Sequence, residues 1–437
     1  MTTSAGKAQR VNKSLQYSVL DGSAFSAMAG LTGNYITPFA LALKATTAQI
    51  GLLTSVPSLL MSLAQLSAPR LSEKAGSRKG LVLPTVFLHA LMWLPVFLVP
   101  YLVPNGKVWW LIAFVSVSTV LGAMANPAWG SMMADLVPQR IRGRYFAARG
   151  RIASLVALVF MFLAGGILQL AGPNVFLGFA ILFGGAVVFR LLSFYFLTRM
   201  WEPPAVRTDG SSGRLGELVK GLGSSNLGRF TIIMALMSFS TNLAAPFFSV
   251  YMLRDLHFSY LSYVIVTGAG SLSYVLFLTY WGRRADRAGN IRVIRISWLL
   301  VPLVPVVWLA SHEVWYLVIV QTFASFAWAA SDLATGNFVL EAAPAEVRTG
   351  WIALYAAMNG TAVCVGSLAG GLLASYLPPI LGYPLLTLFA LSGVLRAIVA
   401  VLLRRSVREV RKVPSVGLLQ LLFTRHRANH VAAPEGE

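Results

Sequence analysis

Two aspartates, Asp21 and Asp332, lie deep inside long apolar stretches of the chain. Charged side chains are costly at membrane depth, so an acid found there is a candidate functional group. Loss of hydration disfavours the ionised form of a carboxylate, which allows such a group to exchange a proton. We therefore predict Asp332 and Asp21 as proton-coupling residues. The alternatives are a structural hydrogen bond for Asp332 and a helix-entry role for Asp21.

Amide and aromatic side chains in the same stretches are candidates for binding a solute. Asn34 and Asn242 each stand four residues before a proline, Pro38 and Pro246. These prolines weaken the helices and free backbone carbonyls, so the amides either bind a solute or satisfy the broken helix. Aromatic side chains more often pack or anchor at the membrane surface than contact a ligand. The further candidates for lining a cavity are Asn126, Trp129, Gln65, Gln321, Trp328 and Asn359.

Three basic or titratable residues also lie within apolar stretches. His89 is the histidine deepest in such a stretch. Arg190 and Arg396 stand near the ends of their stretches. Long basic side chains extend their charged ends to the membrane surface, and we expect both arginines to do so.

The composition indicates that these apolar stretches are membrane spans. The chain has 437 residues, 57% hydrophobic and 11% charged, with a mean hydropathy of +0.70. Soluble domains are about 25% charged, and so few charges do not cover a soluble surface. Cys364 is the one cysteine, which excludes a disulfide or a cysteine-based metal site within the chain. The sequence also lacks the patterns G-x-x-x-x-G-K-[ST] and H-E-x-x-H, and we expect no enzyme, cofactor or metal site.

Twelve stretches of the sequence are long enough to be membrane-spanning helices. Crossing the hydrocarbon core takes about 20 apolar residues. The stretches lie near 15–42, 47–69, 81–103, 108–134, 150–171, 174–198, 229–252, 258–281, 291–311, 314–340, 350–377 and 379–403. The sequence therefore predicts an all-α integral membrane protein with twelve transmembrane helices and with both termini on one face.

The distribution of lysine and arginine predicts which face carries the termini. With both termini inside, 30 of these residues lie on the inner face, and three, Lys44, Lys107 and Arg254, lie on the other. Cytoplasmic loops carry an excess of Lys and Arg, so we expect cytoplasmic termini and a multi-pass protein of the cell (inner) membrane. The net charge of +20 is then mostly this topology signal, and we expect no binding to nucleic acid.

The two halves of the chain repeat each other. "TGNYITPF" at 32–39 resembles "STNLAAPF" at 240–247, and "DLVPQRIR" at 135–142 resembles "EAAPAEVR" at 341–348. "LAGGIL" at 163–168 likewise matches "LAGGLL" at 368–373. The copies are separated by 205 to 208 residues. Six spans in each copy make the two repeats parallel in the membrane.

The loops after spans 2 and 8 carry a charged motif, G-x-x-x-D-R-x-G-x-x-[RK]. The second copy contains Gly282, Asp286, Arg287, Gly289 and Arg292. The first copy departs from the motif and contains Pro69, Glu73, Lys74, Gly76 and Lys79. Together with the twelve spans and the parallel repeat, this motif makes residues 15–403 resemble the major facilitator superfamily of secondary transporters. The resemblance implies two six-helix bundles related by a parallel pseudo-twofold repeat.

The resemblance also implies a latch between the bundles on the cytoplasmic face. Glu73 would face the start of span 11 and Asp286 the start of span 5, while Asp135 and Glu341 would share the nearby arginines. Closure of this latch would favour the state open to the outside. The alternative is a cluster of topology-setting arginines with one partnered acid. The latch residues are Glu73, Lys74, Gly76, Asp135, Arg142, Gly282, Asp286, Arg287, Gly289, Glu341 and Arg348.

Five segments are predicted along the chain. They are a cytoplasmic tail at 1–14, a six-helix bundle at 15–198, a cytoplasmic linker at 199–228, a second bundle at 229–403 and a basic cytoplasmic tail at 404–437. The linker is rich in Pro, Gly and Ser. The tail contains an arginine run and the short apolar piece "VGLLQLLF".

The resemblance implies secondary active transport of a small organic solute by alternating access of the two bundles. We expect proton coupling, with export favoured over import. The expected partners are the solute, protons and the lipid bilayer, and the expected oligomeric state is a monomer. Two alternatives stay open. One is a sensor or scaffold with a transporter fold that binds ligand without flux, and the other is a lipid flippase or scramblase.

Overall fold

The computed structural model describes residues 4–74, 77–203, 215–344 and 347–410. At 4–8, 65–74, 215–217, 286–287 and 348–349 the description covers the backbone alone. Within the described ranges the regular elements are helices, and one isolated β-bridge joins Ile380 to Tyr383. The predicted all-α class is confirmed.

Two halves of six spans make up the fold, as the sequence predicted. The first half contains α1 (Ser4–Thr32), α2 (Ile36–Ala42), α3 (Thr47–Lys74), α4 (Arg78–Leu102), α5 (Lys107–Leu136), α6 (Arg142–Ala171) and α7 (Val175–Arg199). The short helix α8 (Leu215–Lys220) precedes the second half, which contains α9 (Asn226–Asn242), α10 (Phe247–Val250), α11 (Tyr260–Ala288), α12 (Asn290–Leu300), α13 (Leu303–Val307), α14 (Val314–Ala342), α15 (Arg348–Leu373) and α16 (Pro384–Ser406). The pairs α1–α2, α9–α10 and α12–α13 are spans 1, 7 and 9, each interrupted once.

Ten stretches of the described residues are long and apolar enough to cross a membrane. One of the ten, Gln139–Arg199, contains both α6 and α7. The helix α1 is not among the ten, because Gln16, Asp21 and several serines dilute its apolar residues. The span that the composition marks least clearly is therefore the one that holds a candidate acid.

Several helices extend beyond the apolar stretches that predicted them. The helix α1 begins at Ser4, inside the segment predicted as a tail at 1–14, and α16 continues to Ser406. The helix α6 begins at Arg142 rather than near 150. Hydropathy marks only the membrane-embedded part of a span, whereas backbone hydrogen bonds continue into polar residues at the surface. Residues 411–437 of the predicted basic tail lie outside the described residues.

Spans 1 and 7 are interrupted at matching places in the repeat. The helix α1 ends at Thr32, whose hydroxyl donates to the carbonyl of Met28 at 2.9 Å. The helix α9 ends at Asn242, whose amide donates to the carbonyl of Ser238 at 2.9 Å. Both side chains bond back to the carbonyl one turn earlier. For Asn242 this bond is the one expected of a side chain that completes the helix end.

Small residues bring the two halves into contact at one end of the bundle. A Cβ atom on Gly165 in α6 would lie 2.5 Å from Cγ1 of Val264 in α11. In the other half, a Cβ on Gly371 in α15 would lie 3.2 Å from the Cα atom of Gly51 in α3. Each glycine belongs to one of the repeated "AGG" steps, and each lets a helix of one half approach a helix of the other closely.

We expect Gly165→Ala to open this interface, because the added methyl group has no space beside Val264. The matched control is Gly166→Ala, where a Cβ meets nothing within 4 Å. Alanine is favoured over glycine in a helix by about 1 kcal/mol, so both variants gain helix propensity and only the first suffers a clash.

Spin labels at Asn105 and His257, which are exposed in loops of different halves, report the separation of the halves at this end. Pulsed EPR should show a longer distance distribution for Gly165→Ala than for wild type, and an unchanged one for Gly166→Ala. Identical distributions in all three proteins would show that this contact does not hold the halves together.

Candidate functional site

A cavity of about 870 Å³ lies between the two halves. Its walls come from spans 1, 5, 7, 8 and 10, with additional residues from spans 9 and 12. Most of the surface is apolar, and aromatic side chains such as Phe248, Trp308 and Trp328 contribute to it. The polar lining includes Asn34, Thr241, Ser249, Gln321 and Arg396. A cavity of this size and character suits a small organic molecule.

One end of the cavity is closed by a cluster around Tyr263 of α11. The hydroxyl of Tyr263 donates to the carbonyl of Asn34 at 2.8 Å, which joins the two halves. Ser249 lies 3.1 Å from the same hydroxyl. The ring of Tyr35 packs edge-on against Tyr263, and its own hydroxyl donates to the carbonyl of Met161. These residues form a polar and aromatic floor.

We call the end of the bundle where the described termini lie the terminal end, and the end that carries the Tyr263 cluster the opposite end. Further contacts join the halves at the opposite end. Arg254 donates to the hydroxyl of Thr47 at 2.9 Å. The backbone nitrogen of Leu261 donates to the side chain of Gln169 at 3.3 Å. The terminal end, where α7 and α16 finish, carries the charged loops. The structure is therefore a state in which the halves meet beneath the cavity at the opposite end.

A second cavity of about 380 Å³ adjoins the first and contains Asp332. The two cavities share Thr241 and Trp328. Asp332 is exposed, and its Oδ2 accepts a hydrogen bond from the hydroxyl of Tyr274 at 3.0 Å. Among the described side chains no lysine, arginine or histidine pairs with Asp332. This carboxylate therefore faces an accessible cavity without a counter-ion.

Other predicted cavity residues surround Asp332 or line the larger cavity. Asn242 and Asn359 line the smaller cavity, and Asn359 accepts a hydrogen bond from Ser238 at 2.6 Å. Asn34 and Gln321 line the larger cavity. Trp328 belongs to both cavities. The sequence candidates of spans 7, 10 and 11 are thus brought together with Asn34 of span 1.

Asp21 lies elsewhere, in a buried network within the first half. Its side chain is 6% exposed and lies 3.6 Å from the guanidinium of Arg149 in α6. The hydroxyl of Ser193 donates to the Oδ1 atom of Asp21 at 2.6 Å. Arg149 also donates to the carbonyl of Ser18 at 3.0 Å, and its guanidinium stacks 4.4 Å from the ring of Trp129. Asp21 and Trp129 line neither cavity.

The same network continues to Arg190 and His89. Arg190 donates to Ser193 at 3.1 Å and to Nδ1 of His89 at 3.0 Å. The guanidinium also lies 4.8 Å from the ring of Phe25. His89 therefore accepts with Nδ1, which requires the neutral tautomer protonated at Nε2. The expectation that Arg190 extends to the membrane surface was wrong, because buried polar partners hold it inside.

Arg396 occupies the matching position in the second half and is also buried, so the same expectation was wrong for it. Its Nε donates to the hydroxyl of Ser392 at 3.1 Å. Its terminal nitrogens donate to the carbonyls of Val301 and Thr241, both at 3.4 Å. Unlike Arg190, it has no acid within its network among the described residues. The guanidinium lies 6.0 Å from the Trp328 ring, at the wall of the larger cavity.

Several charged side chains described at the terminal end contact residues of their own half. Arg78 pairs with Asp135 at 2.5 Å, and its backbone nitrogen donates to Glu202 at 2.7 Å. In the second half, Glu341 accepts from Asn290 at 2.9 Å. Arg142 donates to the carbonyl of Ala134 at 2.6 Å, which caps the end of α5.

A matching pair of acids, Glu202 and Glu409, was not recognised in the sequence. Each acid follows the last span of its half and accepts a hydrogen bond from a backbone nitrogen at the start of the third span of that half. The backbone nitrogen of Ile291 donates to Glu409 at 2.8 Å. The two acids stand 207 residues apart, which is the spacing of the repeat. That spacing was the signal available to find them.

The remaining predicted residues divide into three groups. Gly289 has φ +86°, a conformation that favours glycine and lets α11 turn directly into α12, whereas Gly282 lies within α11. Asn126 is exposed on α5 and lines neither described cavity. The side chains of Gln65, Glu73, Lys74, Asp286, Arg287 and Arg348, and the whole of Gly76, lie outside the described residues.

Two six-helix halves around a central cavity define an integral membrane protein with a transporter architecture. The family model of the Major Facilitator Superfamily matches residues 22–223 and 230–430. The chain therefore belongs to this superfamily, as its sequence motif and repeat had indicated. No sequence among the curated proteins matches the chain.

Solved transporters share the fold at low sequence identity. A mutant of the nucleoside transporter NupG superposes with a TM-score of 0.72 at 13% identity, covering 91% of this chain and 100% of its own. The D-xylose-proton symporter gives 0.70 at 14% identity, covering 92% and 99%. An inward-facing, unoccupied bacterial homolog of the human lysosomal transporter Spinster gives 0.61 at 13% identity, covering 93% and 96%. At these identities the similarity is one of fold.

Proposed function

We propose that the chain is a secondary transporter that moves a small organic solute across the cell membrane by alternating access and couples this movement to protons. The observation that carries the proposal is the position of Asp332. Its carboxylate faces a cavity that adjoins the space between the halves, with one tyrosine donor and no counter-ion among the described side chains. A carboxyl group placed in this way can take up and release a proton as access to the cavity alternates.

Asp332 is the better of the two predicted proton-coupling residues. Asp21 is enclosed by Arg149 and Ser193 and lines neither cavity. Asp332 shares the smaller cavity with Trp328 and Thr241, which also line the larger one. A proton on Asp332 therefore sits next to the space where a solute would bind, whereas Asp21 has a structural ion pair to maintain.

The proposed orientation has both termini in the cytoplasm, on the strength of the excess of Lys and Arg at the terminal end. The halves meet at the opposite end, so the cavity of the state described then opens to the cytoplasm. Importers and exporters both pass through such a state; we propose export as the direction, and a monomer as the transporting unit. The solved relatives include a symporter that uses protons, which supports proton coupling in this fold.

The cytoplasmic latch belongs to the same proposal. Asp135 and Glu341 each have a partner in their own half when the opposite end is joined. In the outward-open state we propose that the loop acids Glu73 and Asp286 bridge to the other half. Asp286→Ala should then lower the transport rate and shift the population away from the outward-open state, with normal membrane insertion. Unchanged rate and unchanged populations would contradict the latch.

A ligand screen followed by a flux assay tests the proposed function. Purified protein is screened by thermal shift against metabolites and drugs, and a stabilising compound is then loaded into proteoliposomes. Movement of that compound down and against its gradient supports a transporter. Binding without flux would instead support the sensor or scaffold alternative, and movement of a fluorescent lipid reporter would support a flippase or scramblase.

A further inference from the structure

We propose that the solute is an amphipathic organic anion, whose negatively charged group binds in the larger cavity beside Arg396. This inference rests on the proposed transport function and specifies the chemical class of its substrate. It comes from three features of the cavity wall: an uncompensated buried cation, two unsatisfied hydrogen-bond donors and a predominantly apolar remainder.

Arg396 is a buried cation with weak partners. Arginine has five N–H donors, and the terminal nitrogens of Arg396 make contacts of 3.4 Å to the carbonyls of Val301 and Thr241. The hydroxyl proton of Ser392 points to the carbonyl of Ser240 at 2.6 Å, so that hydroxyl offers Arg396 a lone pair and no charge. No carboxylate pairs with Arg396 among the described residues, although a buried charge without a counter-ion is costly.

The first half shows how the positive charge at the matching position is balanced by a side chain of the protein itself. Arg190 stands 206 residues before Arg396, at the matching point of the repeat. Its network reaches the carboxylate of Asp21 through Ser193, with bonds of 3.1 Å and 2.6 Å. Among the described residues of the second half no acid takes this place, and the arginine lies at the cavity wall. An anion in the cavity would supply the missing negative charge.

Two further donors in the same wall lack acceptors. The hydroxyl of Thr241 and the indole nitrogen of Trp308 are buried without a hydrogen-bond partner among the described residues. Both residues line the larger cavity, and the carbonyl of Thr241 already contacts Arg396. A buried donor without an acceptor is costly. A carboxylate accepts several hydrogen bonds, so an anion at this wall would offer acceptors to these donors as well as to the guanidinium.

The rest of the cavity defines the body of the solute. The residues that line the larger cavity include a second cation, Arg151, and no acid. Asp332 lies in the adjoining cavity, which shares Thr241 and Trp328 with the larger one. The volume of about 870 Å³ and the apolar walls with Phe248 suit an aliphatic or aromatic body. A carboxylate on such a body is the class of ligand that matches every part of this wall.

Cysteine labelling measures the predicted charge without knowledge of the solute. In a Cys364→Ala background, Ala245→Cys, at a partly exposed position, reports on the larger cavity, and Ser238→Cys reports on the smaller one beside Asp332. Each cysteine is reacted with two methanethiosulfonate reagents, one with an anionic sulfonatoethyl group and one with a cationic trimethylammonium group. Each rate is divided by the rate of the same reagent with a free thiol in solution. The anionic reagent should be favoured at Ala245→Cys over Ser238→Cys by about tenfold, the effect of a charge interaction of about 1.4 kcal/mol.

Substitution of the arginine provides the matched test. Arg396→Gln should abolish the anionic preference at Ala245→Cys, and Arg396→Lys, which keeps the charge, should retain most of it. Phenylacetate and octanoate should protect Ala245→Cys from a neutral reagent, and their amides should not. Equal labelling by both reagents in the wild-type background, or protection by amides as good as by acids, would overturn the inference.

These results are separable from those of the flux assay. The labelling ratio is measured in protein that keeps Arg396 and need not transport anything. It therefore tests the inference even if Arg396→Gln fails to fold. Transport of a neutral or cationic solute with no anionic preference would overturn the substrate class alone. An anionic preference in a protein that binds carboxylates without flux would leave the substrate class standing and remove the proposed function.

Discussion

Asp332→Asn is expected to abolish the accumulation of solute against its concentration gradient. It should leave the exchange of solute across the membrane intact. In proteoliposomes with an imposed pH gradient, wild-type protein that moves one proton per solute should reach about a tenfold solute gradient per pH unit, because each 1.4 kcal/mol corresponds to a factor of ten. The asparagine variant keeps the shape and a hydrogen-bond acceptor for Tyr274 but exchanges no proton. Its final gradient should therefore be close to one.

A counterflow assay distinguishes loss of proton coupling from loss of a folded, working transporter. Solute exchange across a membrane without a pH gradient needs alternating access alone, so Asp332→Asn should retain it. The matched control is Asp255→Asn, which alters an aspartate at the opposite end that bonds to Arg254 at 2.8 Å and lines neither cavity. That variant should accumulate solute as wild type does. A full pH-driven gradient with Asp332→Asn would show that another group carries the proton.

Asp21→Asn is expected to destabilise the protein rather than to uncouple it. Removal of this charge leaves Arg149 and Arg190 without their acid in a buried setting. Breaking a buried ion pair from one side costs about 3–5 kcal/mol. Thermal unfolding in detergent should therefore begin at a clearly lower temperature than for wild type. Asp332→Asn serves as the control, because it removes a carboxylate that has no cationic partner among the described side chains.

A compensating change tests the cause of this loss. The double variant Asp21→Asn with Arg149→Gln restores the net charge of the network, so it should recover part of the lost stability. A double variant less stable than the sum of the two single changes would argue against charge imbalance. An Asp21→Asn protein that unfolds at the wild-type temperature would show that the network around Ser193 does not contribute to the stability of the first half.

The spans and their repeat were predictable from the sequence because hydropathy and spacing encode them directly. The match between "LAGGIL" and "LAGGLL" located two small-residue steps that the structure places at contacts between the halves. The intramembrane acids were also found, because the cost of burying a charge makes any acid in an apolar stretch conspicuous. The family followed from the charged loop and the repeat, and the family model confirmed it.

The direction in which individual side chains point was not predictable in the same way. The helices that hold Arg190 and Asp332 are apolar on nearly all sides, so periodicity gives little indication of which face meets the cavity. Asp21 and Arg149 are 128 residues apart in the sequence, and only the packing of α1 against α6 brings them together. The two acids therefore looked alike in the sequence and differ in the structure.

Arg396 illustrates the same limit for a cation. Its place in an apolar stretch suggested a side chain that reaches the membrane surface, since nothing in the sequence shows that Ser392, Thr241 and Val301 converge on it. Those contacts come from α9, α16 and the break between α12 and α13. Only the folded second half shows that, among the described residues, no acid joins the network of Arg396 as Asp21 joins that of Arg190.

Solute-driven proton movement is the measurement that tests the central claim most directly, namely that Asp332 couples protons to a solute in this cavity. Proteoliposomes containing a pH-sensitive dye and wild-type protein should change their internal pH when the stabilising solute is added outside without an imposed gradient. Asp255→Asn should give the same signal, and Asp332→Asn should move solute by exchange with no pH change. A wild-type-sized pH change in the Asp332→Asn protein would contradict the account.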